Sequence, residues 1–211
     1  MKFLGKSNVL CLVPHPDDTA YSISATVRKY QDTHFNMAYL TLGGYTDPSR
    51  GIQRQSEDDH FWSTMTSINW GVCYYPKLEL ETSPLSTIIN DLETTISIKD
   101  YDMVLGPSEC DSNYDHVLVN RLMMPLVRST AITTLEYRCA SSLSEWVPNM
   151  FVDVTEDELE HKYNCLIESF PSQTDAPYFV EDNFRSFHVD YNSKKRGYGY
   201  CEMFKVRNYY V

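Results

Sequence analysis

The chain has 211 residues, enough for one α/β domain with a substantial core and too few for two. Its 42% hydrophobic and 22% charged residues are an ordinary globular mix, and a net charge of -11 argues against a nucleic-acid backbone or an anionic membrane as its main partner. The basic run Lys194-Lys195-Arg196 reads as a solvated loop, with contact to a substrate phosphate as the lesser alternative. Six cysteines are scattered without a CxxC pair, which suits free thiols in a reducing compartment better than disulfides or a zinc knuckle. The opening Met1 to Lys6 carries no apolar core of signal-peptide length, and no later stretch approaches membrane-spanning length. The expectation is a soluble cytoplasmic protein with no membrane insertion and no direct nucleic-acid binding.

In chain order, the apolar run Val9 to Val13 has the length of a strand buried on both faces and stops at Pro14. A helix is predicted over 19–31, with Ile23, Val27 and Tyr30 on one face, and a strand over 35–42 that ends in Gly43-Gly44. A polar helix follows from near Gly51, carrying Arg54 and Glu57 and then a core face of Phe61, Trp62, Met65 and Ile68. A short strand is predicted over 71–75. Ser83-Pro84 reads as N-cap and first turn of a helix with Leu85, Ile88, Ile89 and Leu92 at helical spacing. Residues 101–105 form the next strand, stopped by Gly106-Pro107, and after a polar loop Asp115-His116 opens a helix to about Val127. Ala131 to Arg138 alternates like an outer strand, and Asn149 to Val154 reads as another. Thr155-x-x-Glu158 is a capping box for a helix to about Phe170. Beyond it come a loop-rich stretch with a helix around 178–188 and a closing strand over 202–207. Four strand–helix alternations in the first half predict a mostly parallel sheet covered by helices on both faces.

Two strand ends carry ligand-type side chains. The first offers His15, Asp17 and Asp18 within one turn, and the second offers Asp115 and His116. Strand ends on one edge of a parallel sheet converge, and open α/β sheets keep their ligands there. Two histidines and a carboxylate are the protein ligands of a catalytic zinc, and a spare carboxylate beside them can act as general base. The plainer alternative is that both acidic pairs simply cap helices.

Pro14-His15-Pro16-Asp17-Asp18 resembles the signature of the PIG-L/LmbE-like family of zinc-dependent N-acetylglucosaminide deacetylases. Further segments resemble that family in the same order: Thr41-Leu42-Gly43-Gly44, Arg54-x-x-Glu57, Asp111-Ser112-Asn113-Tyr114-Asp115-His116, Val152-Asp153-Val154-Thr155 with Lys162 and Ser172-Gln173, and Tyr200-Cys201-Glu202-Met203-Phe204. The resemblance implies a Rossmann-like three-layer sandwich forming a single deacetylase domain over 1–211. It implies one zinc ion on His15, Asp18 and His116, with Asp17 as general base and Asp115 as an orienting partner. Arg54 would contact a sugar hydroxyl or an attached phosphate, its alternative being a helix-surface ion pair with Glu57 or Asp58. Glu57, Lys162, Gln173 and Glu202 are read as structural. His34, His60, His161 and His188 match no motif and are read as ordinary histidines.

Two departures from the family pattern stand out. Thr19 occupies a position where Glu is usual, and Thr is expected to cap the helix instead. Asn113 stands where some members have a histidine; its amide can donate to an oxyanion but cannot deliver a proton. The functional expectation is removal of an N-acetyl group from an N-acetylglucosamine-type amino sugar or conjugate. Two alternatives remain at this stage: a non-catalytic sugar- or nucleotide-sugar-binding protein on the same fold, and a metal-dependent esterase or phosphoesterase.

Overall fold

A computed structural model describes residues 1–43, 47–66, 83–190 and 194–210 in full, and the backbone of 70–74. Gly44 and Ile68, assigned above to a turn and to a core face, lie outside the described residues. Seven strands form one sheet: β1 (Asn8–Val13), β2 (His34–Tyr39), β3 (Trp70–Tyr74), β4 (Met103–Pro107), β5 (Thr133–Tyr137), β6 (Met150–Val154) and β7 (Tyr200–Asn208). Their order is β3-β2-β1-β4-β5-β7-β6. The first five are parallel; β7 runs antiparallel between β5 and β6.

Alternation along β1 shows why the sheet is covered twice. Val9, Cys11 and Val13 face one apolar cluster with Phe35, Phe61 and Leu166, whereas Leu10 and Leu12 face another with Ile88, Leu122 and Leu126. Helices α1 (Asp18–Lys29), α2 (Pro48–Met65), α5 (Glu156–Ser169) and α6 (Glu181–Phe187) supply the first layer. Helices α3 (Leu85–Thr95) and α4 (Tyr114–Val127) supply the second. The result is the expected three-layer α/β sandwich with a mostly parallel sheet.

Several local expectations need correction. The segment read as an outer strand is β5, which is buried at every position and bonded to β4 on one side and β7 on the other. Its threonines and Glu136 gave it an alternating look, but the returning β7 covers the edge it would have exposed. α2 starts earlier than Gly51, because the Asp47 side chain accepts from the Ser49 backbone N–H and Pro48 sits in the first turn. α3 starts one residue later than Ser83-Pro84 implied: Pro84 is its N-cap and makes no side-chain cap bond. Thr19 does not cap α1. It lies inside the helix, and its buried hydroxyl makes no hydrogen bond among the described residues. The stretch 178–188 divides into a 3₁₀ turn, Pro177–Phe179, and α6. The capping box at Thr155 and Glu158 is present with both reciprocal bonds.

Behind the sheet, Lys162, Glu202 and His188 form a buried polar group. Lys162 Nζ donates to Glu202 Oε1 at 2.6 Å and to His188 Nε2 at 3.0 Å, and His188 Nδ1–H donates to the Phe184 carbonyl at 2.8 Å. Glu202 also accepts from the backbone N–H groups of Ala25 and Thr26. These bonds tie β7, α5 and α6 to α1, the helix that begins at the candidate site.

Candidate metal centre

The strand order reverses between β1 and β4, and a crevice outside the carboxyl ends of such strands is where open α/β sheets bind ligands. The turn after β1 delivers His15, Asp17 and Asp18, and the loop after β4 delivers Asp111, Asn113, Asp115 and His116. All of these except Asp111 line an open cavity of about 560 Å³, together with Arg54, Tyr114, Ser141, Gln173 and Tyr178; Asp111 joins the group through His116.

His15, Asp18 and His116 each offer a ligand atom, all within 4.8 Å of one another. Asp18 bridges the two imidazoles, with Oδ2 3.3 Å from His15 Nδ1 and Oδ1 3.3 Å from His116 Nε2. Each imidazole then has a further carboxylate on its other nitrogen. Asp115 Oδ2 is 2.8 Å from His15 Nε2, and Asp111 Oδ2 is 3.3 Å from His116 Nδ1. Such outer carboxylates fix the tautomer and the ring orientation of metal-binding histidines. Asp115, expected to orient either an imidazole or the donor that meets an oxyanion, lies against the His15 imidazole. Asp111 takes the same part for His116 and was overlooked in the sequence, although it opens the very segment that carries Asp115 and His116.

The group holds four carboxylates (Asp17, Asp18, Asp111, Asp115) and one guanidinium, that of Arg54 on Asp17, so it carries an excess of negative charge while its imidazoles are neutral. Burial lowers the proton affinity of His116 and His15, but the adjoining carboxylates outweigh it and hold both pKa values above the ordinary one. For Asp18, burial acts to raise the pKa; His116 and His15 overcome it and leave the group well below the usual carboxylate range. A buried set of two imidazoles and one carboxylate that attracts positive charge this strongly fits a divalent cation by donor chemistry and by charge.

Asp17 differs from Asp18 in backbone conformation, in partner and in the direction of its pKa shift. Its backbone has φ 102°, a left-handed conformation that is costly for a side chain and is found at functional turns. Its Oδ1 accepts from Arg54 Nη2 at 2.7 Å. Burial raises its pKa, and Arg54 offsets only part of that rise. Arg54 is therefore neither paired on the helix surface with Glu57 or Asp58 nor pointed at solvent; it joins α2 to the turn after β1. Glu57 instead accepts from the Ser172 backbone N–H at 3.0 Å, anchoring the loop that carries Gln173 and Tyr178.

Gly43 allows this packing. It has φ +67°, and a Cβ there would lie 2.6 Å from Arg54 Nη1. Asn113 caps α4, its Oδ1 accepting from the Asp115 backbone N–H at 3.0 Å while the residue lines the cavity. The basic run 194–196 is exposed and does not line the cavity; Arg196 pairs with Asp153.

The geometry defines an α/β protein with a candidate His/Asp/His metal centre at the switch point of its sheet. The sequence matches the PIG-L family, described as GlcNAc-PI de-N-acetylase, over residues 10–127. The chain belongs to that family.

Solved structures share the fold. The N,N'-diacetylchitobiose deacetylase from Pyrococcus horikoshii superposes with a TM-score of 0.73 at 19% identity, covering 97% of this chain and 85% of that one. A zinc-inhibited form of teicoplanin deacetylase gives 0.70 at 12% identity, over 95% and 97%. The 4-carboxy-2-hydroxymuconate hydratase from Pseudomonas putida gives 0.75 at 13% identity, over 97% and 98%. At these identities the likeness establishes the fold, and the hydratase shows that the fold by itself does not choose the reaction. Among curated proteins, none matches the sequence significantly.

Proposed function

We propose that the chain, acting as one domain over 1–211, is a metal-dependent N-deacetylase that hydrolyses the acetamide of an N-acetylglucosamine-type sugar or conjugate. The observation that carries the reading is the cluster of His15, Asp18 and His116 with Asp17 beside it in the same cavity. Membership of a de-N-acetylase family supports an amide bond as the target, and the deacetylases among the neighbours agree with a sugar-linked acetamide.

His15, Asp18 and His116 would hold the cation, zinc being the expected ion. When bound, it supplies Lewis acidity toward water and the acetamide carbonyl. Asp17 takes the proton of the attacking water. Its Oδ1 is held by Arg54, which leaves Oδ2 for that proton, and its burial-raised pKa brings it closer to a working base at neutral pH. The Asn113 amide nitrogen makes no hydrogen bond among the described residues and lines the cavity, so it is available to donate to the developing oxyanion. Asn113 cannot protonate the leaving amine, and Asp17 returns the proton it took. Arg54 positions Asp17. Tyr114 and Ser141 line the same cavity and would meet the sugar.

The test is acetate release from N-acetylglucosamine conjugates by the zinc-loaded protein. His15→Ala and Asp17→Asn are expected to abolish it, and undiminished release by either variant would remove this mechanism. No membrane-spanning helix is present among the described residues.

A further inference from the structure

His116 has a second ligand-type neighbourhood on the side away from Asp18. Asp111, the Nδ1 edge of His116 and the Cys139 thiol are all buried, and one ligand atom from each lies within 4.8 Å of the others. The cluster is built from two segments that are locked together. Asp111 forms a β-bridge with Ser142, its Oδ2 accepts from Ser108 Oγ and Ser142 Oγ at 3.3 Å each, and its Oδ1 accepts from the Asn113 backbone N–H at 2.8 Å. The Cys139 backbone N–H donates to Ser142 Oγ at 2.9 Å, which fixes the start of the segment that follows β5. Ser141, which lines the open cavity, has its Oγ 3.3 Å from His116 Nδ1.

A carboxylate alone suffices to orient His116, and the Cys139 sulfur, buried at the edge of the apolar core, adds a third donor beside that pair. A coordinating divalent cation deprotonates a thiol outright. Carboxylate, imidazole and thiolate together select a borderline or soft ion over magnesium or calcium.

We propose that Asp111, His116 Nδ1 and Cys139 form a second metal site for a thiophilic divalent cation, back to back with the first and sharing the His116 ring. Binding there replaces two protons, one from Nδ1 and one from the thiol, and releases both to solvent. The ring becomes an imidazolate bridge, and the Nδ1–H bond to Asp111 gives way to a bond to metal. Because that bond fixes His116, an ion at the second site alters the first, and excess metal becomes a regulator of the enzyme. The inference rests on His116 presenting Nε2 to the first ion.

The experiment is a titration of the metal-free full chain with cobalt(II) chloride, followed by equilibrium dialysis and absorption. The wild-type chain is expected to bind two equivalents, with a thiolate-to-cobalt charge-transfer band in the near ultraviolet growing with the second. Cys139→Ala and the near-isosteric Cys139→Ser are both expected to lose the band and to bind the second equivalent at least about tenfold more weakly, while keeping the first. Saturation of the wild type at one equivalent overturns the proposal. So does a second equivalent without the band, or a band that persists in either variant, which assigns it to another thiol such as Cys110. His15→Ala separates the two readings: it is expected to weaken the nitrogen- and oxygen-ligated equivalent and to keep the band. If that variant binds cobalt as the wild type does, the primary centre is wrong instead.

Discussion

Arg54 Nη2 lies 2.7 Å from Asp17 Oδ1, joining the middle of α2 to a strained turn 37 residues earlier in the chain. A guanidinium in that place holds the carboxylate in position and lowers its proton affinity against the burial that raises it. The pair therefore sets where, on the pH scale, Asp17 becomes available as a base.

Replacing Arg54 by Gln is expected to raise the Asp17 pKa further. A base works only when deprotonated, so the acid limb of the kcat/KM profile moves to higher pH. Activity at neutral pH falls by about a hundredfold, within the range general-base catalysis contributes. A pH–rate profile of acetate release checks this, and an unmoved acid limb would separate Arg54 from the base.

Asp115→Asn removes the carboxylate from His15 Nε2 and leaves the three ligands intact. The expected result is zinc binding weakened by about 10–100-fold with little change in fold, as for other outer carboxylates on metal-bound histidines. Competition with a chromophoric chelator measures it. Wild-type affinity in the variant would show that Asp115 does not act through the metal centre.

Gly43→Ala places a methyl group on a backbone of positive φ and drives it against Arg54. A cost of about 1–2 kcal/mol in stability is expected. Activity should fall by more than the loss of folded protein accounts for, since Arg54 must move away from Asp17. Urea unfolding and kcat on the same preparation distinguish the two effects.

His188 is buried as a neutral ring that accepts from Lys162 Nζ. Burial first, and then the nearby Lys162 charge, hold its pKa well below 6.5. The unfolded chain takes up a proton near pH 6.5 that the folded chain refuses, so this contribution is complete above pH 6.5 and is lost as pH falls. The stability difference between wild type and His188→Gln should shrink below pH 6.5 by up to about 1.4 kcal/mol per pH unit. Denaturation series at several pH values test it, and parallel curves for the two proteins would refute it. Taking the difference cancels the opposing trend from His15 and His116, whose raised pKa values act in both proteins.

By itself the sequence determined what short-range physics controls. Apolar runs of strand length, the Thr155–Glu158 capping box and the proline stop at Pro14 placed most elements within a few residues. By contrast β4, expected over 101–105 with Gly106-Pro107 as its stop, runs Met103–Pro107 with both of those residues paired to β5. The two ligand-bearing turns were readable because strand ends in a parallel sheet open on one edge. What failed locally failed for local reasons: Asp47 rather than Gly51 begins α2, because an Asx cap outranks a glycine as a start signal.

The tertiary structure decided everything that depends on which distant segments meet. β5 is interior because β7 returns antiparallel beside it, which no periodicity within 131–138 can announce. Asp115 meets His15 across 100 residues, and Arg54 turns inward to Asp17 although its sequence neighbours Glu57 and Asp58 offered nearer charges. Asp111 and Cys139 gained their meaning only when the loop after β4 was bridged to the segment after β5. Residue type fixes the chemistry a side chain can offer; strand order and loop closure fix which nitrogen, oxygen or sulfur it is offered to.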